Sequence, residues 1–339
     1  MKKFVIKTLA FALVFALTAA GICVHLDPYN VFHALSYREN GVEPNKNYIK
    51  MRYILHEPDR FDSFVFGSSR VGFLNVEKLS GARAYNMTGS LALPEEHLDN
   101  LRTMLAHGIV PKHVIIEVDD LAYRMDPQKN RTEHQRAPYE YLKSHPLEFA
   151  ALYLCPVVAL DAREIMQYSD RNEREEQDFY RYGATITYGE RGQYTPKTHE
   201  DLSGPSYLEG AIAALRETAA LCRDNGIELT VFVTPMHYAT YTGALERGDY
   251  FDFLRELAAV TPFYNFSGYN DVTMDSDNYM DTSHYLAEIG DLIIDCIWFG
   301  RTDEKLLKQG FGFRADAENI EELIGILEEG NAQYYESFR

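Results

Sequence analysis

Short apolar runs alternate with amphipathic ones along most of this chain. The apolar runs are "SFVFG" (63–67), "RAYNM" (83–87), "HVIIEV" (113–118), "ELTVFVT" (228–234) and "PFYNFS" (262–267), rich in aromatic and β-branched residues as strands are. Between them lie stretches with apolar residues at three- and four-residue spacing. "PEEHLDNLRTMLAHG" carries Pro94 in a first helical turn and Gly108 as a stop, and "YLEGAIAALRETAALCRDNG" ends at Gly226. Strand and helix patterns in alternation predict a parallel sheet covered by helices. The expected fold is α/β: a three-layer α/β/α sandwich around a mainly parallel, five-stranded sheet.

The rhythm breaks between the third and fourth strands. Residues 126–204 open on the charged "DPQKNRTEHQR", pass through a helix-like stretch from Pro146 to Tyr168, and close in "ATITYGERGQYTP", which reads as a hairpin turning at Gly189–Gly192. This interval reads as an insertion. Its Tyr180, Tyr182, Tyr188 and Tyr194 suit packing or stacking on sugar rings. At the N-terminus, "TLAFALVFALTAAGICV" (8–24) runs without a charge behind Lys2, Lys3 and Lys7. Near-spanning length and no clear A-x-A site favour an uncleaved single-pass anchor, with secretion after signal cleavage as the alternative. The leading lysines put the N-terminus in the cytoplasm and the remainder outside. The domain plan is an anchor at 1–26, a domain at 27–300 that contains the insertion, and an acidic helical tail at 301–339.

With 51 acidic against 33 basic residues the formal charge is −18, and no stripe of Lys and Arg stands out against it, which excludes nucleic acid as a partner. Cys23 falls in the anchor. Cys155, Cys222 and Cys296 sit in apolar, helix-like segments, the pattern of buried free thiols rather than of a disulfide framework. No spacing of His, Cys and Asp resembles a metal-ligand set, and no cofactor is implied.

In a parallel sheet, functional groups gather where the strands end and loops converge. Gly67-Ser68-Ser69 stands at such an end. A serine nucleophile needs a base to take its proton and a third group to orient that base. Of eleven histidines, His97 and His107 fall in a helical pattern and His134 and His145 in the insertion. His284 stands in "NYMDTSHYLAEIGDLI", after the last strand, with Asp281 three residues before it. That spacing lets the carboxylate reach one ring nitrogen while the other faces outward. Asp281, Thr282 or Ser283 could equally cap the helix that follows. His237, in "TVFVTPMHYATY", follows the fourth strand and is a candidate for the substrate cleft, although packing would use it as well. Arg70 could bind an anionic substrate group or pair with nearby acids.

Taken together, these segments resemble the SGNH or GDSL hydrolase superfamily over roughly residues 60–296. "FGSSR" resembles its first block, with Ser68 in place of the usual Asp, which makes Ser69 the nucleophile. "MDTSHY" resembles its last block and gives Asp281 and His284. "YNMTGSLALP" resembles the second block, whose glycine amide, here Gly89, donates to an oxyanion. The third block departs: "IIEVDDL" holds no asparagine, so the resemblance implies an oxyanion hole built on Ser69 and Gly89 with help from Asn86. It further implies a flavodoxin-like sheet and an esterase or O-acyltransferase acting on an acyl ester of a cell-surface glycan. The membrane-anchored branch acts in acyl transfer onto polymers such as alginate and teichoic acid, which implies a membrane acyl-donor protein as partner. Two rivals remain: an inactive scaffold with the same fold, and a metal-dependent phosphoesterase using Asp119, Asp120 and His237.

Overall fold

The computed structural model describes residues 1–35, 40, 42–130, 133–157, 159–160 and 199–338. The hairpin expected at Gly189–Gly192 and the four tyrosines of the insertion lie outside them. In chain order the main elements are α1 (Lys2–Leu26), α2 (Lys46–His56), β1 (Ser63–Phe66), β2 (Ala84–Asn86), α3 (Pro94–Ala106), β3 (His113–Val118), α4 (Tyr139–Ser144), α5 (Pro146–Tyr153), α6 (Leu208–Asp224), β4 (Glu228–Val233), α7 (Tyr238–Arg247), α8 (Tyr250–Val260), β5 (Phe263–Asn265), α9 (Ala287–Phe299), β6 (Phe313–Ala315) and α10 (Ile320–Phe338). Each of the five apolar runs forms a strand. The chain divides into two compact units, one within Met1–His56 and Gln128–Arg181, the other within Glu57–Pro127 and Tyr182–Arg339.

The second unit is α/β. Its sheet runs β2-β1-β3-β4-β5-β6, parallel throughout except at β6, which pairs antiparallel with β5. Val65 on β1 and Ile115 and Phe232 on the next two strands share a core with Ile289 and Ile293 of α9. The opposite face meets α3, where the Phe66 ring lies 5.7 Å from that of His97. Helices on both faces are consistent with a three-layer sandwich. The register pairs Val65 with Asn86, Phe66 with Ile116, Val118 with Val233, and Val233 with Asn265, so five carboxyl ends align along one edge.

The sheet has six strands rather than the five expected. The sixth comes from the stretch read as an acidic tail, and α10 after it buries Leu323, Ile324 and Leu327. β6 is only three residues long and follows two glycines, too brief a run to register as a period-two pattern. His97, expected on a surface or core edge, is buried, and burial holds its ring neutral by lowering its pKa to about 3.

In the first unit, α1 ends at Asp27, whose amide donates to Cys23 O at 2.8 Å and whose Oδ2 accepts from the amides of Phe32 and His33. Val31, Ala34, Tyr48, Ile49, Ala137, Leu142 and Tyr153 form its core. Asn45 Nδ2 donates to Ala137 O and Tyr153 Oη, joining the N-terminal segment to the inserted one. Contacts thus join residues 27–56 to residues 137–153, within one of the two compact units.

Gly290 lets α9 approach the turn after β1, because a Cβ there would run into the Phe73 carbonyl oxygen, whereas Gly325 in α10 has open space. Gly290→Ala should destabilise the fold by about 1–3 kcal/mol, and Gly325→Ala should stabilise it by up to about 1 kcal/mol. Denaturant unfolding measures both, and matching shifts would contradict the close approach.

Candidate active site

The turn carrying Ser69, the candidate nucleophile, begins where β1 stops. A Cβ on Gly67 would stand 2.6 Å from Glu117 Oε2 and 2.6 Å from Val71 Cγ1, so only glycine lets the Glu117 carboxylate lie under this turn. Glu117 Oε2 accepts from the Ser68 amide at 2.8 Å, and Thr88 Oγ1 donates to the Ser68 carbonyl at 2.7 Å. Ser68 then caps a short 3₁₀ turn, Ser69–Phe73. Held from both sides, the turn presents Ser69, which is half-buried while Ser68 and Arg70 are buried.

Its partners come from 215 residues away. Tyr279 and Tyr285 form an antiparallel bridge, Met280 N donates to His284 O, and the loop between them carries Asp281 and His284 at its tip. His284 Nε2 lies 2.8 Å from Ser69 Oγ, and Nδ1 lies 2.9 Å from Asp281 Oδ2. Asp281 Oδ1 also accepts from the amides of Ser283 and His284 at 2.7 and 2.8 Å. Burial pushes this carboxyl up, but the His284 ring and the two amides outweigh it and hold Asp281 down to about 2. An ionised Asp281 fixes the proton on Nδ1, leaving Nε2 to accept from the Ser69 hydroxyl. The capping alternative does not form: α9 begins at Ala287 with Leu286 at its cap and no side-chain cap bond.

Arg70 ties these pieces together. Its guanidinium pairs with Asp119 and with Asp120 Oδ1, the latter at 2.9 Å, while Nε and Nη2 donate to Ser283 O and Oγ at 2.9 and 3.1 Å. One side chain thus joins the nucleophile turn, the end of β3 and the histidine loop. With 3% of its surface exposed, Arg70 is committed to these acids and is not open to a substrate anion, which corrects one of its two candidate roles. Thr240 Oγ1 donates to Thr282 O, and Thr282 Oγ1 to Glu200 Oε1, bracing the loop from the other side.

The acids around Arg70 are shifted in different directions. Burial raises Glu117 well above the usual range, reinforced by neighbouring Asp119 and opposed by Arg70. Burial also raises Asp119, whereas Arg70 and Arg124 overcome burial at Asp120 and lower it. Arg70 stays charged because the three carboxyls outweigh its own desolvation. Glu117 therefore holds its proton to higher pH than an exposed glutamate does.

The expected oxyanion hole is only partly formed. The Gly89 amide donates to Gly67 O at 3.1 Å, extending the β1–β2 pairing, and Asn86 Nδ2 donates to Val71 O at 2.7 Å. Both expected donors thus hold the nucleophile turn instead. The Ser69 amide makes no bond to a protein acceptor among the described residues. His237 does not reach the cleft either: it is buried, Nδ1 accepts from the Ala239 amide, and Nε2 meets Ser276 Oγ at 3.1 Å. Burial lowers it to about 4, against the pull of Glu200 and Asp281. Asp119 and Asp120 bind Arg70 rather than gathering with His237, and among the described residues no three His, Cys, Asp or Glu side chains are grouped to hold a metal ion. Glu117 and Glu200 escaped the sequence reading, which took Thr282 and Ser283 only as capping candidates, since each acts through a fold contact that no local spacing records. No protein-family model matches the chain, and no curated protein matches it significantly.

Two outcomes follow from this network. Arg70→Met leaves buried carboxylates unpaired and should cost about 3–5 kcal/mol of stability in denaturant unfolding; a loss under 1 kcal/mol contradicts the clamp. Glu117 binds its proton more tightly folded than unfolded, so the stability it lends is complete below its unfolded value of 4.5 and falls as pH rises toward its folded one. Glu117→Gln should track the wild type near pH 4 and become relatively more stable as pH rises. A constant difference across pH would contradict the retained proton.

Proposed function

We propose that the chain is a membrane-anchored, extracytoplasmic serine hydrolase or O-acyltransferase of SGNH type, acting on acyl esters of a cell-surface glycan or polymer. The observation that carries this reading is the hydrogen-bonded line from Ser69 through His284 to Asp281. Ser69 Oγ attacks the ester carbonyl while His284 Nε2 takes its proton, and His284 returns that proton to the departing alcohol. The resulting Ser69 ester is then cleaved by water, releasing acid, or by a glycan hydroxyl, forming a new ester. Asp281 keeps the ring in the required tautomer, and the Ser69 amide receives the oxyanion.

The anchor part of the reading draws on α1, which is long and apolar enough to cross a membrane, a test that signal sequences also pass. Its end belongs to a folded core: Cys23 is buried and Asp27 is bound by the amides that follow. Retention leaves that core whole, whereas cleavage after Gly21 would detach its leading helix. One observation favours a second reading, a non-catalytic surface protein. With Gly89 and Asn86 engaged elsewhere, the site holds one clear oxyanion donor, and a missing donor raises the barrier by about 3–4 kcal/mol.

A fluorophosphonate should label the detergent-solubilised full chain, and a small activated ester should be hydrolysed, on the order of a hundredfold or more below the rate of a complete hole. Ser69→Ala should abolish both signals and His284→Ala should remove nearly as much, because triad members act as a unit. A chelator should change neither. Labelling that survives Ser69→Ala, or an inert wild type given glycan acceptor and acyl donor, moves the assignment to the surface protein.

A further inference from the structure

We infer that residues 146–160 make a second contact with the lipid bilayer, laying an apolar face into the boundary between headgroups and acyl chains beside the anchor; this rests on α1 being a retained membrane span. The stretch "PLEFAALYLCPVVAL" contains one charge, Glu148. α5 within it is apolar on two faces. Inward, the Phe149 ring meets Phe32 at 5.7 Å and the Tyr153 ring meets Tyr29 at 6.0 Å. Outward, Leu147 is 85% exposed, and past the helix Val157 and Leu160 are 64% and 49% exposed. Single exposed apolar residues are ordinary on a soluble surface. Three within fourteen positions, beside one acid, make a surface that water does not favour.

Position identifies the occupant. Cys23 in the last turns of α1 is buried, and Tyr29 and Phe32 just past that helix hold the rings of Tyr153 and Phe149, so α5 packs against the segment that leaves α1. The uncharged run Thr8–Val24 has seventeen residues, which span about 26 Å as helix. A bilayer's hydrocarbon core is about 30 Å thick. The run is slightly short, so the level of Cys23 falls at or within the outer hydrocarbon boundary. α5 packs against residues 29–32 immediately past that level, so its outward apolar side chains meet the headgroup boundary. Interfacial segments of this kind bury their apolar face at the headgroup boundary.

The test uses the chain's single tryptophan as its background. In full-length protein carrying Trp298→Phe, one tryptophan is introduced at a time by Leu147→Trp, Val157→Trp, Phe11→Trp or Val110→Trp. Each variant is reconstituted in phosphatidylcholine vesicles, with and without bromine on the acyl chains near the headgroup. Brominated lipid should remove most emission from the Leu147→Trp, Val157→Trp and Phe11→Trp proteins and little from Val110→Trp, which places an exposed residue of the other unit under the same test. Quenching of Phe11→Trp without quenching of Leu147→Trp or Val157→Trp overturns the second contact and leaves the anchor standing. No quenching of Phe11→Trp overturns the anchor reading itself. Equal quenching of all four overturns the confinement of the contact to this face.

Discussion

The site depends on one buried guanidinium. Arg70 follows Ser69 in sequence, yet its side chain reaches the β3 carboxylates and the backbone and hydroxyl of Ser283, one residue before His284. Ser69 and His284 lie on loops far apart in sequence, and their 2.8 Å contact requires both loops to hold still. Arginine suits this because its planar, permanently charged fork serves acids on one side and a carbonyl on the other. A lysine would supply the charge without the second set of directions. Desolvating such a charge is costly, and the compensation comes from Asp119 and Asp120, which in other readings of the sequence would themselves have been catalytic.

The same requirement shapes what lies beneath. Three acids crowd one arginine with Arg124 at the edge, and burial together with the neighbouring Asp119 raises the proton affinity of Glu117. The Glu117 carboxyl can lie against the turn only because residue 67 has no side chain. Gly89 and Asn86 complete this arrangement by holding Gly67 and Val71. The groups that would have polarised a substrate carbonyl instead fix the nucleophile turn. The fixing of the Ser69 turn and the engagement of Gly89 and Asn86 are thus two consequences of one network.

Strands β1 to β5 were legible because each is a short apolar run bounded by breakers, and the triad candidates because a serine at a strand end and an Asp-x-x-His before a helix are local signals. Of the expected oxyanion donors, Gly89 and Asn86 are engaged elsewhere: a glycine amide in sequence gives no sign of whether a neighbouring carbonyl has already taken it. His237 looked accessible from its place after a strand, but the loop that carries Ser276 encloses it. The partition into two units was illegible for a related reason. Residues 27–56 and the inserted segment carry no shared motif, only complementary aromatic and amide surfaces. What failed in each case was a long-range contact, and nothing in a single sequence records those.

The central claim is that His284 makes Ser69, rather than Ser68 or Ser283 beside it, the group that bonds to an acyl carbon. Brief incubation of the full chain with an activated acyl ester, acid quench, and mass-spectrometric mapping of the peptides tests this directly. The account predicts an added acyl mass confined to Ser69 that disappears in His284→Ala. An adduct on Ser68 or Ser283, or one on Ser69 that forms equally fast without His284, would contradict it.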